Sequence, residues 1–317
     1  MACLTISPED EKRVKALGFL SNKGTDNFSG RIITVNGKIT AEQNKCLSEA
    51  AELFGNGIVT FTTRLTIEVQ GIPYDKIEDF RAYIAKAGLV TGGTGSKVRP
   101  IVSCKGTTCQ YGLIDTFGLS EEIHEKFFNG YADVKLPHKF KIAVGGCPNN
   151  CVKPDLNDLG IIGQMVPNYD EDLCNGCKKC SVEDACPIKV AKVEDGLLQI
   201  NKDECNNCGR CIGKCHFDAI EDGKVGYKVY IGGMWGKRVA HGIPLTKIFT
   251  TKEEVMNVVE KAILLYREQG ITGERFAQTI ARLGFENVNS QLLSDDLLDR
   301  KQEILDAKLH LVGGATC

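Results

Sequence analysis

The chain has 317 residues, 42% hydrophobic and 25% charged, an ordinary globular composition with length for about two domains. Its net charge of −2 excludes the overall field of a nucleic-acid or membrane-surface binder. No apolar run approaches the ~18 residues of a membrane span, and Met1 to Arg13 lacks the apolar core of a signal peptide, so a cytoplasmic location is expected.

Ser7-Pro8-Glu9-Asp10 opens a predicted helix over 7–20, with Ser7 as its cap and Pro8 at the first helical position. Arg31–Val35 is β-rich. A second helix starts at Thr40, with Gln43 three residues on, and runs to about Phe54. Ile58–Thr62 and Leu65–Val69 read as strands and Pro73–Ala87 as a helix. Thr91-Gly-Gly-Thr-Gly-Ser96 is a glycine-rich loop without the Lys-Ser/Thr ending of a phosphate-binding loop. Strands follow near Val98–Ser103 and Lys139–Val144. Tyr169 to about Asp222 is an island of eight cysteines with a net charge of −5, which leaves about +3 for the rest. Strand signals resume at Lys228–Ile231, then helices near Lys252–Gln269 and Gly273–Leu283 and a polar helical tail. Strands and helices alternate but are mixed with hairpins, so the expected fold class is α+β.

Fifteen cysteines without an export signal fit metal ligands in a reducing compartment better than disulfides. Twelve form three groups of four, leaving Cys3, Cys46 and Cys317 as ordinary thiols. The island contains a repeat: Asp172-Leu-Cys-Asn-Gly-Cys-Lys-Lys-Cys180 aligns with Asp203-Glu-Cys-Asn-Asn-Cys-Gly-Arg-Cys211. Each run is C-x2-C-x2-C with a more distant fourth cysteine, Cys186 or Cys215. Zinc usually takes two CxxC pairs, and the third closely spaced cysteine is surplus to it. The runs resemble those of two-cluster bacterial ferredoxins, in which the fourth cysteine of each run ligates the other cluster. That pairs Cys174, Cys177 and Cys180 with Cys215, and Cys205, Cys208 and Cys211 with Cys186. Five residues precede Cys186 where three are usual, and His216 follows Cys215 where proline is usual.

The third group is split between Cys104-Lys-Gly-Thr-Thr-Cys109 and Gly145-Gly-Cys-Pro-Asn-Asn-Cys151. Spacing alone leaves open a four-thiolate cluster, two structural pairs or a zinc site. Leu136-Pro-His-Lys-Phe-Lys-Ile-Ala-Val-Gly-Gly-Cys-Pro-Asn-Asn-Cys151, continued by Asn157-Asp-Leu-Gly-Ile-Ile-Gly163, resembles the siroheme-dependent sulfite and nitrite reductases. So does Phe61-Thr-Thr-Arg-Leu-Thr-Ile67 followed by Gly71-Ile72. The resemblance is closest to the catalytic C subunit of anaerobic sulfite reductase. It implies that Cys104, Cys109, Cys147 and Cys151 hold a 4Fe–4S cluster and that Cys151 also bridges to siroheme iron. Cys104 and Cys109 are separated by four residues rather than the family's five. The resemblance also implies that Arg31, Arg99, Lys139 and Lys141 surround the substrate and that Arg64 lies nearer the siroheme carboxylates.

The physical need is the same. A carboxylate-ringed iron tetrapyrrole and a sulfite dianion both require concentrated positive charge, which a nearly neutral chain must gather locally. Lys139 and Lys141, two apart on an expected strand, point to one face. Gly232-Gly-Met-Trp-Gly-Lys-Arg238 is read as lining the cofactor or as a simple turn. The five histidines show no ligand spacing.

The expected organisation is a ferredoxin-like half-domain over 1–72, a siroheme and cluster domain over 73–167 and 223–317, and an inserted two-cluster ferredoxin domain over 168–222. The expected activity is the six-electron reduction of sulfite to sulfide, with siroheme and three 4Fe–4S clusters. Without a dinucleotide fingerprint the chain needs outside donors; the resemblance implies an iron–sulfur subunit, a flavin subunit oxidising NAD(P)H, and an oligomer. Nitrite reduction at the same site, a polyferredoxin without substrate and a siroheme-binding regulatory component are the alternatives.

Overall fold

The computed structural model describes residues 6–311; Cys3 and Cys317 lie outside them. Helix α1 (Pro8–Ala16) is capped by Ser7, whose side chain accepts the Asp10 N–H. It ends earlier than the sequence pattern predicts because Gly18 turns the chain at φ +101°, where a Cβ would stand 2.4 Å from the Gly92 nitrogen. The chain then enters β1 (Phe19–Ser21) and β2 (Asn27–Ile32). Thr40 and Gln43 form the expected capping box of α2 (Ala41–Phe54). Strands β3 (Val59–Phe61) and β4 (Ile67–Pro73) follow. Residues 62–66 are a tight turn rather than the start of the second strand: the Thr62 and Thr66 hydroxyls bond at 2.7 Å, and Leu65 adopts φ +59°.

The first sheet is antiparallel in the order β1-β2-β4-β3. Helix α3 (Ile77–Ala85) packs on it beside α2, and Phe19, Leu47, Val69, Ile77, Phe80 and Ile84 share one buried core. The first unit therefore extends past the boundary expected at residue 72, because α3 buries its apolar face there rather than in the following domain.

The second sheet has the order β11-β10-β7-β6-β5. Its parallel part is β5 (Val102–Ser103), β6 (Ile142–Gly145) and β7 (Leu159–Pro167), with α4 (Thr116–Ile123) between the first two. All of β6 is buried, as a parallel strand covered on both faces must be. Strand β7 pairs antiparallel with β10 (Gly223–Ile231) from Leu159↔Ile231 out to Pro167↔Gly223. Residues 168–222 thus leave and re-enter at one hairpin end, where the Asn168 N–H donates to the Asp222 carbonyl at 3.1 Å. They contain α5 (Ser181–Ala185) and the hairpin β8 (Ala191–Glu194) and β9 (Leu197–Ile200), with a small core of Val182, Ala191, Leu198 and Ile220.

Strand β11 (Ile243–Phe249) leads to α6 (Lys252–Gln269), whose Thr251–Glu254 capping box fixes its start and which is buried on most sides. Helices α7 (Phe276–Leu283), α8 (Phe285–Leu293), α9 (Asp296–Asp299) and α10 (Lys301–Asp306) complete the main core. Among the described residues no helix is long and apolar enough to cross a membrane.

Candidate active site and thiol sites

Arg31, Arg64, Arg99, Lys139 and Lys141 line one cleft of about 340 Å3. Arg31 projects from β2, Arg64 from the β3–β4 turn, and Arg99 from the stretch before β5. Lys139 and Lys141 precede β6, and Phe140 between them is fully buried, so the extended chain alternates cleft and core. Gly93, Thr94 and Gly95 of the glycine loop line the same cleft. The turn beneath Arg64 stores strain, since a left-handed non-glycine residue costs about 1–3 kcal/mol and Leu65 is one. Arg31 is not a free cation. Its Nη2 and Nε both donate to Glu68 Oε1, at 2.7 and 2.9 Å.

The remaining cations are held against their own repulsion. Arg64 donates to Asn157 Oδ1 at 3.0 Å and to the Pro100 carbonyl at 2.8 Å, and Arg99 donates to the Gly93 carbonyl. Burial, with neighbouring arginines, pushes both guanidinium groups down to about 10. Burial together with Arg64, Arg275 and Lys139 brings Lys141 to about 8. Lys139 is lowered by burial and by Arg275 and Arg99. The Nε atoms of Arg64 and Arg99 are buried without a hydrogen-bond partner among the described residues. Buried donors without acceptors are costly, and a carboxylate-bearing or oxyanionic ligand supplies what they lack. The cleft therefore fits the group that the resemblance implies.

Three contributors escape a reading of the sequence. Lys15 of α1 lines the cleft. Beneath it, Asp158 is fully buried and accepts both Arg275 Nη2 contacts at 2.8 Å and the Lys141 N–H at 2.9 Å. Burial raises the Asp158 carboxyl while Arg275 and the Lys141 N–H oppose the rise. Asp158 stands inside a family motif with nothing to single it out, and nothing local marks Arg275. The segment 232–238 does not line this cleft, and its Trp235 is exposed.

Cys104 lies just after β5 and Cys109 after a 3-10 turn, Gly106–Thr108; Cys147 and Cys151 follow β6. Burial raises the Cys147 thiol, the Asn149 N–H opposes the rise, and Cys104, Cys151 and Cys109 add to it. The Gly146 N–H donates to Cys104 Sγ at 3.1 Å. In the island, Cys186, Cys205, Cys208 and Cys211 line one small pocket. Burial, with Cys205, Cys208 and Cys186 nearby, pushes the Cys211 thiol up to about 11. Cys186 is driven the other way: burial raises it, but the backbone N–H groups of residues 188–191 outweigh that and favour the thiolate. Cys174, Cys180 and Cys215 pack against the island's core, with Cys177 half-buried. All twelve thiols are free. Among the described residues no three potential ligands close on a point as they would around a single ion.

Three groups of four free thiols and a cleft of crowded cations suit a redox protein that handles an anion. The nitrite and sulphite reductase 4Fe-4S domain matches residues 94–299, and the nitrite/sulfite reductase ferredoxin-like half domain matches residues 21–87. The chain belongs to the siroheme-dependent nitrite and sulfite reductase family, a family of oxidoreductases that implies siroheme and a 4Fe–4S cluster. It is 34% identical to the coenzyme F420-dependent sulfite reductase of Methanocaldococcus jannaschii, over 77% of this chain and 38% of that protein. It is 33% identical to the C subunit of the anaerobic sulfite reductase of Salmonella typhimurium, over 42% of each. The chain thus spans about two-fifths of these two relatives. The fold matches dissimilatory sulfite reductase I with a TM-score of 0.66 at 22% identity, covering 84% of this chain and 69% of that one.

Proposed function

We propose that the chain reduces sulfite to sulfide in the basic cleft, drawing six electrons singly through three 4Fe–4S clusters. The observation that carries this reading is the convergence of Arg31, Arg64, Arg99, Lys139 and Lys141 on one cleft in a chain of net charge −2. When bound, siroheme would supply an iron that takes up electrons and binds the anion, and the clusters would supply single electrons. Cys104, Cys109, Cys147 and Cys151 would hold one of these clusters. The island, residues 168–222, would be a two-cluster ferredoxin module.

The chain's own residues do the rest. Arg31, Arg99, Lys139 and Lys141 hold the sulfite oxygens and stabilise charge as each S–O bond breaks. Arg64, anchored by Asn157 and Pro100, would hold the carboxylates of the tetrapyrrole. Each departing oxygen leaves as water after taking two protons. Lys141, at about 8, is charged at neutral pH yet close enough to neutrality to give one up and regain it. Asp158 fixes the backbone from which Lys141 projects. Free thiols suit a reducing cytoplasm, and donor subunits that oxidise a nicotinamide or similar carrier would feed the island.

The test is a visible spectrum with iron and acid-labile sulfide counts on anaerobically purified protein, followed by Lys139→Met and Lys141→Met. Each variant should keep the tetrapyrrole bands and lose sulfite turnover. Unchanged turnover would sink the assignment, and clusters without tetrapyrrole bands would point to a pure electron carrier. Comparison of kcat/KM for sulfite and nitrite fixes the substrate.

A further inference from the structure

We propose an order for the two island sites: Cys186, Cys205, Cys208 and Cys211 form the inner relay, next to the active site's four thiols, and Cys174, Cys177, Cys180 and Cys215 form the outer site where electrons enter. This rests on the island being a two-cluster module, as proposed above.

The island and its host meet across a second cleft, of about 560 Å3. Tyr111, Cys147 and Pro148 line its host side, and Ile188, Cys208 and Arg210 line its island side. A thiol of the host group and a thiol of the Cys205–Cys211 run therefore face one shared space. The run is also stitched to the host sheet. The Met165 N–H of β7 donates to the Asn207 carbonyl at 2.7 Å, and Met165 bridges to Cys208. Gly209 follows at φ +71°, where a Cβ would meet Met165 Cγ at 2.7 Å, so only glycine allows this approach. Arg210 then lies 5.3 Å from the centre of the Tyr111 ring.

None of Cys174, Cys177, Cys180 and Cys215 lines that cleft. Their flanks carry exposed apolar side chains: Leu173, beside Cys174, and Phe217, two residues past Cys215, are 46% and 47% exposed. The two flanking segments run side by side, with the Asp170 N–H donating to the Ala219 carbonyl at 2.9 Å. Their carboxylates, Glu171, Asp172 and Asp218, surround these apolar side chains in sequence and suit an external one-electron donor with a basic rim. Each hand-over moves one electron from outer site to inner site to host site, and the donor makes good the loss; no proton moves.

The experiment uses anaerobically purified holoprotein, dithionite-reduced and read by electron paramagnetic resonance, with iron counts. Cys208→Ala and Cys177→Ala should each lose about four irons. Spin–spin broadening of the host cluster's signal should vanish in Cys208→Ala and persist in Cys177→Ala. The reverse pattern, or broadening that survives Cys208→Ala, overturns the order. Arg210→Glu keeps every thiol and serves where a cysteine variant loses all its clusters. It should lower the midpoint potential of the island cluster that couples to the host; a shift confined to the uncoupled cluster also overturns the order. A wild-type protein holding only one cluster's iron would instead defeat the two-cluster reading itself.

Discussion

Lys141 gives the sharpest quantitative test of the cleft. Its ammonium group titrates at about 8, against an ordinary 10.5, because it is half-buried beside Arg64, Arg275 and Lys139. A dianion bound among these cations removes the repulsion and returns the lysine toward its ordinary value. Binding then takes up a proton between about pH 8 and 10.5, so affinity must fall as pH rises across that window. From pH 8 to about 9.5 the loss is roughly fifteenfold, or between 1 and 2 kcal/mol, and solvent at the cleft mouth trims it to about tenfold. Sulfite is already a dianion over this range, so its own titration does not contribute. Lys141→Met should bind sulfite about tenfold to a hundredfold more weakly at pH 8 and show a much flatter pH profile, with the two proteins converging near pH 10.

Stability moves the opposite way. The folded pKa lies below the unfolded one, so the anion-free fold binds fewer protons than the unfolded chain between about 8 and 10.5. Its stability must rise across that window as affinity falls. Calorimetric titration of the oxidised protein with sulfite and urea unfolding, both as functions of pH, read the two slopes. A wild-type affinity that stays constant from pH 8 to 9.5, or a Lys141→Met variant that keeps the full slope, refutes the reasoning.

Further expectations concern the frame around the site. Asp158→Ala leaves the Arg275 guanidinium buried without its carboxylate, a loss of about 3–5 kcal/mol by urea unfolding. Glu260 is almost fully buried and accepts from Lys126 at 2.7 Å, Lys301 at 2.6 Å and Tyr131 at 2.6 Å. Burial raises its carboxyl, but these donors outweigh it and hold the pKa below the ordinary 4.5. Its contribution is complete above that value and fades as pH falls below it; Glu260→Gln should flatten acid unfolding measured by circular dichroism. Gly18→Ala places a methyl group against the Gly92 backbone at a left-handed φ and should cost at least about 1–3 kcal/mol, seen as a lower Tm.

What could be read from the sequence was local. The C-x2-C-x2-C repeats lie within nine residues, the α6 boundaries rest on a capping box and a following Gly270, and the alternation of Lys139, Phe140 and Lys141 follows from the pleat. The basic quartet and Arg64 came instead from the family resemblance, because residues from β2, a hairpin turn and the stretches before β5 and β6 share no sequence window. The same distance explains what was missed. Asp158 and Arg275 are 117 positions apart, so neither carries a mark that the other will cancel its charge. Glu68, which ties up Arg31, sits 37 positions away on the neighbouring strand.

These two carboxylates change what the cleft can do. Five cations with no counter-charge would repel one another and be strongly neutralised or disordered before any anion arrived. Glu68 pairs with Arg31 and Asp158 with Arg275, which relieves part of the repulsion. Lys141 and Lys139 keep lowered pKa values. The result is a cleft that stays folded without its anion yet gains on binding one, and Lys141, lowered to about 8, is the lysine whose backbone Asp158 holds. An Asp158→Asn variant separates these roles. The amide can still accept the Lys141 N–H, but it no longer offsets the charge of Arg275. The Lys141 pKa should then fall further below 8, and the onset of the affinity loss should move to lower pH with it. An onset that stays at pH 8 would mean that Asp158 acts on Lys141 through geometry alone.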